Sequence, residues 1–312
     1  MSRHVVDWDD QRAFLAVLEG GSLSAAARML GVAQPTVRNR IEALERALET
    51  PLFTRSVNGL VPTEQARLLG VHVRDMALAS EAFVRTASAA PGEIAGTVRI
   101  SVSEFVGAAV LPAMLPGLRQ SHPGLAIEIA LSNEAADLPG QEADIAVRMH
   151  RPTQGALIAR HVGTIPLAFF AHRDYVTRRG APASLDELAG HELIGSDRTR
   201  ADFTLMNAAV PTLGRHNFKI RTDSHPAQFA AIKAALGIGA LQQPLGLSDP
   251  ALVAILPEII LHRMDCWIVA HEDLRHAPRI HAVFDHLVTE FTRYCAGASF
   301  KSVTSRTRRT GA

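Results

Sequence analysis

The chain has 312 residues, 47% of them hydrophobic, with a formal net charge of +1 and two cysteines. That length and apolar content point to two or three folded domains and exclude a wholly disordered chain. A net charge this small supplies no global attraction for nucleic acid, so any basic footprint has to be local.

No apolar run reaches the roughly 18 to 20 residues that span a bilayer. The opening "MSRHVVDWDDQRAF" also lacks the apolar stretch of a signal peptide. The expectation is a cytoplasmic protein with no membrane partner. Asp7 and Asp10 precede an apolar stripe at Phe14, Leu15, Val17 and Leu18, the pattern of a helix start, and Gly20-Gly21 stops that helix.

Ser22 or Ser24 caps a second helix running to Leu30. Its Ala25, Ala26 and Ala27 allow another helix to approach closely, and Gly31 is its left-handed terminator. Pro35 falls in the first turn of a third helix with a stripe at Val37, Ile41, Leu44 and Leu48. A short helix, a tight glycine turn and a longer amphipathic helix make a helix-turn-helix.

"PLFTRSVNGLVPTEQA" then reads as two short extended pieces about Asn58-Gly59, a hairpin that would form a wing. From Thr63 to about Ser88, residues Ala66, Leu69, Val73, Met76, Ser80, Phe83 and Ala87 alternate spacings of three and four, a heptad seam with one polar position. Such a helix is roughly 39 Å long and has no partner helix in its own segment. A two-chain coiled coil would bury the seam; the alternative is an amphipathic helix packed on its own domain.

"AAPGEIAGTV" marks a linker. Beyond it "TVRISVS", "LAIEIAL", "ADIAVRM", "IPLAFFA", "HELIGSD", "FKIRTDS" and "DCWIVAH" read as short strands, with helical stretches at 107–121, 226–236 and 277–293. This alternation implies parallel sheets in an α/β region large enough for two sheets with a cleft between them.

Gly237-Ile238-Gly239 lacks the third glycine and the acidic residue of a dinucleotide site and is expected to be a helix-ending turn. Cys266 and Cys295 stand far apart in the chain and are expected to be free buried thiols, each without a second cysteine near it. His281 and His286 fit surface or capping roles better than a zinc site. No Gly-x-Ser-x-Gly, metal cluster or phosphate loop appears, so neither an enzyme nor a bound metal or cofactor is expected. Residues 298–312 are polar and basic without apolar period, a disordered tail by default.

The ordered features in "RAFLAVLEGGSLSAAARMLGVAQPTVRNRIEALERALETPLFTRSVNGLVPTEQA" closely resemble the amino-terminal domain of LysR-type transcriptional regulators. "DIAVRM", "LIARHVGTIPLAFFAHRDYV" and "SLDELAGHELIG" resemble that family's regulatory domain in matching order. The resemblance implies an α/β protein: a winged helix-turn-helix over residues 5–62 and a dimerising linker helix over 63–90. A periplasmic-binding-protein-like regulatory domain over 96–297 would follow, with one subdomain at 96–163 and 268–297 and the other at 164–267. It also implies a homodimer or homotetramer, a double-stranded DNA operator, a small-molecule effector and contact with RNA polymerase.

In a helix-turn-helix the amino end of the second helix enters the major groove. Gln34 carries an amide that suits adenine, Arg38 a guanidinium that suits guanine, and Pro35 with Thr36 can meet a thymine methyl. Asn39 and Arg40 follow, and which of Arg38, Asn39 and Arg40 touches bases stays open. Arg55 in the wing suits a phosphate or the minor groove. Where the family usually has serines, this chain has Ala33 and Arg38, so a helix cap is lost and base contacts cannot be copied from relatives. Dimeric heads would read an inverted repeat.

The resemblance places effector contacts at strand ends: Ser103, Glu104, Phe105, Ser132, Asn133, Arg148, Phe203, Thr222 and Ser224. Open α/β sheets also bind ligands at the carboxyl ends of their strands. Arg148 would be a fork for a carboxylate or a surface residue. Glu104 would oppose a simple anion, meet an amine, pair with Arg148 or face solvent. The competing class is a cytoplasmic small-molecule-binding protein without regulatory DNA binding, against which the amino-terminal head argues.

Overall fold

The computed structural model describes residues 6–56, 59–88, 92–133, 143–152, 157–271 and 277–297. The chain forms two compact units, with the break after Thr86. The expected tail at 298–312 lies outside the described residues.

In the first unit, Asp7 accepts the Asp9 N–H at 2.8 Å and starts α1 (Trp8–Gly20), which Gly21 closes at φ 68°. Of the two candidate caps for α2 (Leu23–Leu30), Ser22 does the work, accepting the Ala25 N–H at 3.2 Å, and Gly31 closes the helix at φ 65°. The small residues permit the expected close approach, since a β-carbon on Gly20 would stand 3.0 Å from that of Ala25. Val37, Ile41 and Leu44 of α3 (Gln34–Leu48) are buried with Phe14, Val17 and Ala26 in one core.

Strands β1 (Phe53–Ser56) and β2 (Gly59–Pro62) pair antiparallel, Arg55 opposite Leu60. The turn expected at Asn58 lies outside the described residues. The seam of α4 (Glu64–Thr86) divides in two. Ala66 and Val73 are buried and Leu69 half-buried in the head's own core, and Gly70 lets the Leu18 side chain come close, as a β-carbon there would fall 2.4 Å from it. Farther along, Met76 is 45% and Phe83 76% exposed, with Val84 beside them at 65%.

The second unit contains β3 (Gly96–Val102), α5 (Glu104–Ala109), α6 (Leu111–Ser121), β4 (Leu125–Leu131), β5 (Ile145–Arg148) and β6 (Leu157–His172). Then come α7 (Arg173–Arg179), α8 (Leu185–Leu188), β7 (Leu193–Gly195), α9 (Arg200–Ala209), β8 (Phe218–Arg221), α10 (His225–Lys233) and β9 (Ile238–Gln242). It closes with α11 (Gln243–Ser248), β10 (Leu252–Ile255), β11 (His262–His271) and α12 (Pro278–Cys295). The helix expected at 107–121 is two helices meeting at Val110, whose φ and ψ of −115° and −58° end one and begin the other.

The strands run β4-β3-β5-β11-β6-β9-β7-β8 along the sheet, with β10 also on β6. Each end is parallel, β4-β3-β5 and β9-β7-β8, as alternating strands and helices predict. The middle is not: β6 and β11 run antiparallel to each other, and β11 is antiparallel to β5 and β6 to β9. These two long strands pass through both halves and join them, so the expected pair of separate sheets is one hydrogen-bonded ladder. The ladder slips by one residue between Cys266 and Trp267, beside Gly163.

Gly237-Ile238-Gly239 is not the end of a helix. Helix α10 stops at Lys233, the left-handed residue after it is Ala235 at φ 58°, and Ile238 and Gly239 already belong to β9. Close packing is the reason for both glycines: a β-carbon would stand 2.2 Å from the Glu192 carbonyl oxygen at Gly237 and 2.8 Å from Ile232 at Gly239.

The cysteines also differ from expectation. Both are free, but helix α12 folds back over β6 and β11, so Cys295, only half-buried, settles beside Gly163, the β6 partner of the fully buried Cys266. His281 pairs with Asp285 at 3.0 Å, and His286 meets the Met114 carbonyl at 2.7 Å.

Candidate nucleic-acid interface and effector cleft

Helix α3 begins without a side-chain cap, because Ala33 has no acceptor to offer its first amides. Buried Val37, Ile41 and Leu44 hold one face to the head, which leaves Gln34, Pro35, Arg38 and Asn39 exposed on the other, with Thr36 and Arg40 half-buried at its edge. Gln34, Arg38, Asn39 and Arg55 make no side-chain hydrogen bond among the described residues. Arg40 does: its Nη2 donates to Asp9 Oδ2 of α1 at 2.8 Å. Nearby, burial and the neighbouring Asp7 push the Asp10 carboxyl up, against the opposing pull of Arg40.

Glu45, on the inner side of the same helix, fixes the wing's base by accepting the N–H groups of Leu52 at 2.7 Å and Phe53 at 3.2 Å. The wing's second strand closes on the glycine turn of α1, where Leu60 N–H donates to the Gly21 carbonyl at 3.3 Å. Glycine suits position 59 because its φ is 122° and a β-carbon would meet that same carbonyl at 3.0 Å. One rigid head thus presents the start of α3 and the exposed Arg55.

In the second unit, the carboxyl ends of β3 and β4 bring Ser103, Glu104, Phe105, Ser132 and Asn133 together. Ser103 Oγ caps α5 by accepting the Val106 N–H at 3.4 Å, Asn133 Oδ1 accepts the Glu104 N–H at 3.0 Å, and Ser132 N–H reaches the Val102 carbonyl at 2.9 Å. Arg148, at the end of β5, directs Nη2 to Ser101 Oγ at 3.1 Å and Nη1 to the carbonyls of Ser101 and Val147, each at 3.3 Å. Its guanidinium therefore braces β5 against β3 as well as standing near the strand ends.

From the other half, Thr222 Oγ1 accepts the Ser224 N–H at 3.2 Å, and Ser224 Oγ caps α10. Helices α5 and α10 face each other, with the Phe105 and Phe229 rings edge to face at 6.0 Å. Phe203 is placed differently from its companions. Its ring packs against Phe218 at 6.4 Å, beside the core of the second half.

The next-door Asp202 carries the polar contacts instead, with a cluster that sequence reasoning did not single out. His225 Nε2 meets Asp202 Oδ2 at 3.1 Å, and Ser196 Oγ donates to the same oxygen. Buried Gln228 donates to Ser196 Oγ at 3.2 Å and to the Thr222 carbonyl at 2.8 Å. The Asp202 hydrogen bond raises the His225 pKa against its partial burial, and Glu104 from the opposite half adds to the rise. Burial works to raise the Asp202 carboxyl, but the bonds from His225 and Ser196 outweigh it and hold it low. Asp223 is lowered to about 2 because Asp197, Arg198 and Thr199 point backbone N–H groups at it. The one available sequence signal was Ser224-His225-Pro226, a cap followed by a titratable group in a helix's first turn.

No helix among the described residues is long and apolar enough to cross a membrane. Among them no group of three or more His, Cys, Asp or Glu side chains could hold a metal ion.

Residues 8–67 match the family described as bacterial regulatory helix-turn-helix protein, lysR family, and residues 91–292 match the LysR substrate binding domain. The HTH-type transcriptional regulator PgrR of Escherichia coli K12 is 31% identical over 67% of this chain and 66% of its own length. A Xanthomonas campestris HTH-type transcriptional regulator is 30% identical over 62% of this chain but only 56% of its own. Among solved structures, the full-length Vibrio cholerae virulence activator AphB superposes with a TM-score of 0.58 at 22% identity, covering 91% of this chain and 99% of that one. CbnR, a LysR family transcriptional regulator, superposes at 0.64 and 16% identity over 91% and 99%. With two matching domains in order over most of its length, the chain belongs to the LysR family of bacterial helix-turn-helix transcriptional regulators.

Proposed function

We propose that this chain is a sequence-specific regulator whose α3 enters the major groove of an inverted-repeat operator, presenting Gln34, Pro35, Thr36, Arg38, Asn39 and Arg40, with Arg55 of the wing on the backbone or minor groove. The observation that carries the reading is the exposed start of α3, where among the described residues the side chains of Gln34, Arg38 and Asn39 have no hydrogen bond to give up on meeting a base edge. Five arginines against three glutamates occupy residues 28–55, with Glu42 and Glu45 in the later half of α3 and Glu49 at its C-cap.

A small-molecule effector binds between the two halves of the second unit. Ser103, Glu104, Phe105, Ser132, Asn133 and Arg148 lie on one side, Thr222 and Ser224 on the other, with Asp202 and His225 added and Phe203 acting as the packing behind them. The linker helix pairs two chains through the exposed part of its seam, and pairs of dimers form the tetramer. The protein works in the cytoplasm, acts through RNA polymerase and performs no chemistry on its effector.

Pure protein mixed with the DNA flanking its own gene tests this reading in a mobility-shift assay against an unrelated fragment of equal length. Selective retention of the flanking DNA is expected. Equal affinity for both would return the chain to the class of small-molecule binders.

A further inference from the structure

Cys266 sits on β11, fully buried, opposite Gly163 on β6. Gly163 has a φ of 139°, and a β-carbon there would stand 2.7 Å from the Cys295 β-carbon and 3.3 Å from its sulfur. The missing side chain is therefore what lets the end of α12 settle onto this rung. Cys295 comes by that route onto the rung that pairs Gly163 with Cys266, and both thiols are free.

The two sulfurs are not equivalent. Cys295 is only half-buried, whereas Cys266 is sealed inside the sheet. Interaction with Cys266 lowers the Cys295 thiol pKa, and the same interaction, with burial, raises that of Cys266. The lower thiol pKa and the greater exposure therefore fall on the same residue, Cys295, with a second thiol on the rung beneath to resolve it.

We propose that Cys295 and Cys266 form a reversible oxidation site that a hydroperoxide converts to an intrachain disulfide. The Cys295 thiolate attacks the terminal oxygen of the hydroperoxide, the O–O bond breaks, and the alcohol or water leaves with a proton. Cys295 is then a sulfenic acid. The Cys266 sulfur attacks it, the S–O bond breaks, water departs with the Cys266 proton, and the S–S bond forms. Two thiols are oxidised by two electrons, and one hydroperoxide is reduced. The bond would fasten α12 to the rung where the ladder slips, beside Tyr294, whose hydroxyl donates to Gln242 of β9 at 2.6 Å.

The test uses the reduced full-length chain and hydrogen peroxide, followed by thiol counting under denaturation, intact mass and peptide mapping. The two thiols per chain should fall to none, the mass should drop by about 2 Da as two hydrogens leave, and one peptide pair should join residues 266 and 295. Dithiothreitol should restore both thiols. In Cys266→Ser the sulfenic acid at Cys295 should persist long enough to be trapped by dimedone. If that variant does not fold, the wild-type map decides alone. Retained thiols, higher oxides at Cys295 without a crosslink, or disulfides only between chains would each overturn the proposal.

Discussion

Arg40 on the recognition helix is tied to Asp9 on α1 by a 2.8 Å ion pair, while Arg38, two residues earlier, has no such partner among the described residues. In the free protein one candidate DNA contact is held by the head and the other is available. Both members of the pair are partly exposed, so the bond is worth only about 0.2 to 1 kcal/mol.

Asp9→Asn should therefore leave the melting temperature nearly unchanged. By releasing Arg40 and removing a negative charge beside the groove, it should tighten operator binding by about 1.4- to 5-fold, the same free energy read as affinity. Fluorescence anisotropy at fixed salt measures it. Weaker binding would mean that the pair orients Arg40 for DNA rather than withholding it.

Glu45 offers a separation of structure from contact. Glu45→Ala leaves the Leu52 and Phe53 amides without their acceptor, at a cost of about 1 to 3 kcal/mol. The wing should loosen and operator affinity should fall, although Glu45 faces away from the groove. Thermal melts and anisotropy on one preparation check both effects.

The His225–Asp202 pair makes stability depend on pH in a definite direction. A histidine raised in the fold above its unfolded value of roughly 6.5 adds stability that is complete below that value and is lost as pH rises through the raised one. Asp202, lowered in the fold, contributes above roughly pH 4 and loses its contribution as pH falls through its lowered value. Between about pH 6 and about pH 9 the wild type should lose melting temperature relative to His225→Gln, in which this titration is absent. Parallel curves for the two proteins would remove His225 from the account.

Gly237→Ala should cost about 3 kcal/mol, near the upper end for overpacking a tight site, because the new β-carbon would fall 2.2 Å from backbone oxygen of Glu192 rather than from a side chain able to turn away. Urea unfolding measures the loss.

The head was legible because its signals are local. Asp7, Ser22, Gly21 and Gly31 each act within a turn of their own position, and the stripe Val37, Ile41, Leu44 follows directly from helical period. The seam of α4 was legible only as a pattern: spacing alone does not tell Val73, which packs on its own head, from Phe83, which does not. In the second unit the apolar runs marked most strands. Strand β9 was hidden by two glycines that look like a turn and are close-packing sites. The meeting of Cys266 with Cys295, and that of Asp202 with Ser196, His225 and Gln228, depends on elements brought together by the tertiary fold, which spacing in one sequence does not display. Phe203 and Asp202 show the same limit at its smallest: neighbours on one helix, the first packs on Phe218 and the second meets His225, and the sequence does not say which way each faces.

The measurement that bears most directly on the central claim is operator affinity of Arg38→Ala beside its circular dichroism. Arg38 is exposed and its side chain has no partner among the described residues, so the fold should be unaltered. Loss of a bidentate base contact worth about 1 to 3 kcal/mol should weaken specific binding roughly 5- to 150-fold, with much less effect on unrelated DNA. Unchanged specific affinity with an intact spectrum would contradict the assignment of Arg38 to the reading face of α3.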